Sequence, residues 1–125
     1  MSDGTRSPAE VMEAMVAAFA TGALDAVADL VHPDDHDHQG LDGQHPIRGI
    51  DGFAHVVRTA RAAYAELSVT IADLVEGRDR AAARLVWTGV RSSGEVVERE
   101  TIDIVRVTDG RASEHWGGQS APADD

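Results

Sequence analysis

The chain has 125 residues, a formal net charge of −11 and 42% hydrophobic residues, enough for one hydrophobic core and too few for two. Its acidic residues are spread along the whole length, and such a surface repels phosphate backbones and anionic lipid, so neither nucleic acid nor membrane is expected as a partner. Cysteine is absent, which excludes a disulfide framework, a thiolate nucleophile and a thiolate metal site.

No stretch approaches the roughly 18 apolar residues that span a bilayer, and the first residues, Met1 to Arg6, lack the basic-then-apolar layout of a secretion signal. A single cytoplasmic domain over 1–125, ordered from about residue 8 to about 120, is expected. Ser7-Pro8-Ala9-Glu10 opens the first helix, with Ser as N-cap, Pro in the first turn and Glu placed to close a capping box. Val11, Met12, Met15, Ala18 and Phe19 recur at helical spacing, and Thr21-Gly22 stops the run. A second, shorter helix is expected from Leu24 to Val31. Between His32 and Ile47 the chain is rich in His, Asp, Gly and Pro, too irregular for a long element, with Asp37-His38-Gln39 as one possible short strand. This segment is the expected mouth of a site. A third helix opens at Ile50 to Phe53 and runs to about Tyr64 or Glu66, with Phe53, Val56, Val57, Ala60 and Tyr64 on one stripe.

Strands follow at Ser68 to Glu76, Arg80 to Val90 and Val96 to Val107, and the last returns over Thr108-Asp109-Gly110 as Arg111 to Trp116. Three helices followed by a mostly antiparallel sheet make an α+β domain in which a curved sheet packs on the helices and leaves a pocket. Read as a three-residue loop with a left-handed Gly110, the last turn pairs Val107 with Arg111 and Asp103 with His115 on one face, and puts Ile102, Ile104 and Trp116 on the other. A two-residue loop at Asp109-Gly110 would instead pair Asp103 with Trp116 and turn the imidazole away.

A carboxylate beside an imidazole suits proton transfer, because imidazole titrates near neutrality and a carboxylate can fix its tautomer. The alternative is a satisfied polar pair that only sets strand register. His36 and His38 share a face in an extended strand and sit among carboxylates, a zinc- or iron-type donor set. No third ligand stands at a recognised spacing, so no metal is expected. Phe19, Phe53, Tyr64, Trp87, Trp116 and Gln119 are candidate pocket residues for a flat apolar ligand, although aromatic residues in so aromatic-poor a chain belong first to the core. Arg84 and Arg106 are expected on the outer sheet face as ion-pair partners, and Glu98-Arg99-Glu100 reads as a solvated strand edge.

The succession Asp37-His38-Gln39, Ile47 to Phe53, Val86-Trp87-Thr88-Gly89, Ile102 to Gly110 and Glu114-His115-Trp116 resembles the SnoaL-like polyketide cyclases, of the nuclear-transport-factor-2-like fold, over roughly residues 8 to 120. The resemblance implies a cone-shaped α+β barrel, a homodimer formed through the sheet, and a cofactor-independent pocket for a small hydrophobic or polycyclic substrate. It matches Asp103 to the pocket acid of the related ketosteroid isomerases and brings His38 near the position of their general base. It also shows two departures. Ser120 stands where the cyclases often carry an Asp, so the usual acid is missing, and their Gly-Thr-His reads Gly89-Val90-Arg91 here.

Three functions are open on this reading. The first is a cyclase or isomerase in which His38 takes an α-proton while Asp103, with His115, stabilises the enolate. The others are a non-catalytic ligand-binding module and an epoxide-opening enzyme of the same fold.

Overall fold

The computed structural model describes residues 6–25, 27–37 and 47–119, with the backbone alone for Val27, His36, Asp37, Ile47, Arg48 and Gln119. Helix α1 spans Pro8–Thr21 and begins as its sequence dictates: the Glu10 backbone N–H donates to Ser7 Oγ at 3.2 Å, and Glu10 Oε1 accepts from the Ser7 N–H at 2.8 Å. Its other end is held from outside. Arg61 of the third helix donates from Nη1 to the carbonyls of Phe19 and Ala20 at 2.8 and 2.9 Å, satisfying acceptors that the helix leaves open. Arg61→Ala therefore costs about 1 to 3 kcal/mol of stability, read as a lower urea midpoint at unchanged slope. A midpoint equal to that of the wild type would show that water replaces the guanidinium without penalty.

The expected second helix shrinks to one turn, α2, Val27–Leu30. Val31, which was expected to close it, is fully buried and starts strand β1, Val31–Asp37. That strand was not expected, because VHPDDHD lacks alternation and carries a Pro. Its partner is the last strand of the chain, in parallel register, so tertiary pairing overrides a poor local propensity; Pro33 falls within the irregular stretch between Val31 and His36, where the ladder is broken. The two-residue β2, Ile47–Arg48, pairs with the end of β1.

Helix α3, Gly49–Ala62, ends sooner than expected: Tyr64 closes a tight turn onto Arg61, and Ala65 already donates to the Val90 carbonyl. Strands β3 (Glu66–Glu76), β4 (Arg80–Val90), β5 (Val96–Thr108) and β6 (Arg111–Gln119) follow as antiparallel neighbours. The sheet order is β2-β1-β6-β5-β4-β3, mixed only at the β1–β6 pair. It stays open, with β2 and β3 at its edges, so the expected cone is an unclosed sheet rather than a barrel.

The core lies between helices and sheet. Val11, Met12, Met15 and Val16 of α1, with Phe53 and Val57 of α3, pack on Ala81, Ala83, Leu85, Val105 and Ala112. The opposite sheet face carries charge, as the strand pattern suggested: Arg84 bridges Asp73 at 2.8 Å and Glu100 at 2.7 Å, and Arg106 meets Glu114 at 3.1 Å. Hydrogen bonds donated to Glu100 and then to Asp73 hold the Arg84 guanidinium above its ordinary pKa. None of the described helices is long and apolar enough to cross a membrane.

Candidate active site

The last hairpin departs from the expected register twice, and the two shifts together restore the face on which His115 lies. Asp109 and Gly110 form a two-residue turn with φ of 55° and 74°, the doubly left-handed geometry whose twist suits a hairpin, and Thr108 pairs with Arg111. That offset alone would turn His115 outward. Ser113, however, is an extra residue between the pairs Val107–Ala112 and Arg106–Glu114, a bulge that shifts the register once more. His115 is thereby returned to the helix-facing side, opposite Val105, and Asp103 is opposite Gly117.

Asp103 and His115 are thus diagonal rather than direct neighbours. With no side chain at Gly117 across from Asp103, the imidazole spans the diagonal, and His115 Nε2 lies 2.8 Å from Asp103 Oδ1. Both groups are largely shielded from water, with side-chain exposures of 16% and 10%.

The second carboxylate oxygen is also engaged. Thr101 Oγ1 donates to Asp103 Oδ2 at 2.7 Å, and the Trp87 indole N–H donates to the same hydroxyl at 2.8 Å. An indole nitrogen can only donate, so Thr101 spends its acceptor on Trp87 and its single proton on Asp103. Direction in this chain is therefore fixed, and Asp103 accepts at Oδ2. As a carboxylate it accepts at Oδ1 as well, which places a ring proton on Nε2 and leaves the lone pair of the neutral imidazole on Nδ1.

These groups stand at one end of a cavity of about 400 Å³ between the sheet and the helices α1 and α3. Its walls are mostly apolar: Met12, Met15 and Phe19 from α1, Phe53 and Val56 from α3, and Leu85 and Trp87 from β4. Phe19 stands edge-on to both Phe53 and Trp87, with ring centroids 5.8 and 5.0 Å apart. Tyr64 reaches back over β4, and a β-carbon at Gly89 would come within 2.5 Å of its ring, so the absence of a side chain there is what lets Tyr64 form the wall.

Of the residues singled out from sequence, Asp103, His115, Phe19, Phe53, Tyr64 and Trp87 all line this cavity. Trp116 does not. It follows His115 directly on a strand, where neighbours face opposite ways, and it pairs with Ile104 on the outer face under Arg80 and Arg106, whose guanidinium carbons lie 5.7 and 5.9 Å from its ring centre. Gln119 is opposite Thr101 by backbone register, its side chain being outside the described residues, as are His38 and Ser120 altogether. Asp37, the last residue of β1, is in register with His115. Among the described residues no group of three or more His, Cys, Asp or Glu could hold a metal ion.

Among the polar residues of the cavity, sequence reasoning missed Thr101 and Arg99. Thr101 was legible as the residue one strand period before Asp103. Arg99 lines the cavity although Glu98-Arg99-Glu100 was taken for a solvated edge; β5 is an inner strand of the sheet, and alternation sends Arg99 to the cavity and Glu100 to Arg84.

Among solved structures, the chain is similar to wild-type IdmH from Streptomyces antibioticus, a candidate polyketide cyclase, at 28% identity with a TM-score of 0.78, covering 90% of this chain and 91% of that one. TsrD from Streptomyces laurentii matches at 27% identity and a TM-score of 0.75 over 88% of this chain and 85% of that one. An NTF2-like protein of unknown function from Exiguobacterium shares the fold at 22% identity and a TM-score of 0.74, covering 90% and 99% of the two chains. No curated protein matches by sequence. The family model of the SnoaL-like polyketide cyclases matches residues 9–118, nearly the whole chain, and with the fold and cavity above it the protein belongs to that family.

Proposed function

We propose that the protein is a cofactor-independent cyclase or isomerase of a small polyketide-like carbonyl compound, with His115 as the base and Asp103 as the group that orients it. The single observation that carries this reading is the Trp87–Thr101–Asp103–His115 hydrogen-bond chain at the end of an apolar cavity. In the proposed step, His115 Nδ1 takes a proton from the carbon next to a carbonyl, leaving an enolate and an imidazolium that Asp103 stabilises. The enolate carbon then attacks a second carbonyl of the same molecule, and the imidazolium returns its proton to the alkoxide formed. In the isomerase variant the proton is returned to a different carbon. The role first read for His38 passes to His115 because His115 is the imidazole that the described cavity contains. Epoxide opening is less well supported, since it needs a carboxylate that holds water, and both Asp103 oxygens are engaged.

The test is α-hydrogen exchange of 1-tetralone in deuterated buffer, followed by NMR. Wild-type protein is expected to speed exchange above the buffer rate, and Asp103→Asn to remove most of the acceleration. Saturable binding of the ketone with exchange at the buffer rate would replace the enzyme with a binding module. We also propose a homodimer through the outer sheet face, supported by the exposed Ile102, Val75 and Val96. Sedimentation equilibrium at the mass of one chain would exclude it.

A further inference from the structure

Along β5 every second residue faces the cavity, and exposure rises steadily in that row: Val105 is fully buried, Asp103 is 7% exposed, Thr101 is half-buried and Arg99 is exposed. The row therefore runs from the floor of the cavity to its mouth. Arg99 is four residues from Asp103, which on an extended strand is about 13 Å. Trp87, directly opposite Arg99 on β4, covers the stretch between them, and Val97, Leu67 and the Tyr64 ring line the mouth.

Among the described residues of the cavity wall, Arg99 is the one permanent cation. Nearby Arg91 is engaged with Glu95 at 3.0 Å and lies over the outer side of the Tyr64 ring at 5.7 Å. On the other face of β5, Glu100 is paired with Arg84. The protein as a whole, at −11, repels anions, so a cation set at the mouth of this cavity counters the general field there. A guanidinium offers five N–H donors in a planar fork, enough to grip a ligand carboxylate through two parallel bonds while keeping another partner.

We infer that Arg99 is a specificity-determining residue that selects substrates joining an apolar, flat or extended body to a carboxylate-like anionic group at the end far from the carbon that reacts. This rests on the reading of the Asp103–His115 end as the reacting end, while the anchoring itself is measured by binding alone. The anionic group is held at the rim, where it stays partly hydrated, and the apolar body fills the space between Trp87 and the α1 and α3 walls. A neutral molecule of the same shape gains the apolar contacts and lacks the ion pair.

The experiment compares anthraquinone-2-carboxylate with anthraquinone-2-carboxamide, a pair of equal shape that differs in charge, by isothermal titration calorimetry. Wild-type protein is expected to bind the carboxylate roughly fivefold more tightly, the size of a partly exposed ion pair. Arg99→Gln removes the preference, Arg99→Lys keeps part of it, and 0.5 M salt narrows it, as for about any exposed pair at short Debye length. Thermal melts verify that the variants fold. Equal binding of the two compounds by wild-type protein, a preference that survives Arg99→Gln, or saturation by neither compound overturns the inference. Asp103→Asn separates this outcome from that of the catalytic reading: it removes most of the acceleration of 1-tetralone exchange and leaves the preference intact. A preference found in a protein with no exchange activity would sustain the Arg99 anchor and reject the base.

Discussion

Asp103→Asn lowers turnover by about 10² to 10⁴-fold with the fold retained. The direction of the hydrogen-bond chain makes this substitution more damaging than its size suggests. Trp87 can only donate to Thr101, so the Thr101 proton points at residue 103 and requires an acceptor there. The amide of Asn meets that demand with its oxygen, and its NH₂ group is then turned toward His115. A donor facing Nε2 forces the ring to carry its proton on Nδ1, and the atom that should accept the substrate's proton no longer has a lone pair to offer. Geometry survives while the tautomer is wrong. Turnover within threefold of wild type, at equal melting temperature, would remove Asp103 from the chemistry and with it the assignment of His115 as base.

The largest stability effect is expected at Phe53, which is 5% exposed and stands at the centre of the α3 packing face. Phe53→Ala should cost about 3 to 5 kcal/mol, the range for an aromatic ring removed from a core that cannot collapse around it. For a chain of this size that lowers Tm by roughly 10 to 20 °C. The damage also reaches the site, because Phe53 is the edge partner of Phe19, Phe19 abuts Trp87, and Trp87 holds Thr101. Activity measured well below Tm should therefore fall too, and Phe53→Leu should recover most of the stability with less of the activity. A loss below about 1.5 kcal/mol in a denaturant titration would mean that the wall relaxes, and the aromatic series would no longer connect core to site.

What could be read from the sequence was local. The capping box at Ser7, the limits of β4 and the sign of φ at Gly110 follow from residue types within a few positions of one another, and the structure has them. Strand β1 was illegible for the opposite reason: its strand character comes from Ala112, Glu114 and His115, far along the chain, and nothing in VHPDDHD announces it. The pairing of Asp103 with His115 was anticipated on the wrong register, and it survives because face is a matter of odd and even, which two single-residue shifts restore. Arg99 was hidden by its neighbours, since three consecutive charged residues look like surface until the strand is known to be an inner one. Trp116 was drawn toward the cavity by its chemistry and kept out by its position next to His115.

The bulge at Ser113 has a consequence for how this hairpin can change over evolutionary time. It acts as a parity bit for everything beyond it: with the number of residues in the hairpin unchanged, turn length and bulge can each vary by one residue only if the other varies too. Closure of the bulge with the chain unchanged, Ser113 entering the ladder opposite Arg106, would put Trp116 opposite Asp103 and carry its indole into the cavity while turning the imidazole outward, whereas deletion of Ser113 would keep His115 opposite Val105. Relatives with the same number of residues in this hairpin and a turn one residue longer should accordingly lack the bulge, and deletion of Ser113 should leave His115 in the cavity.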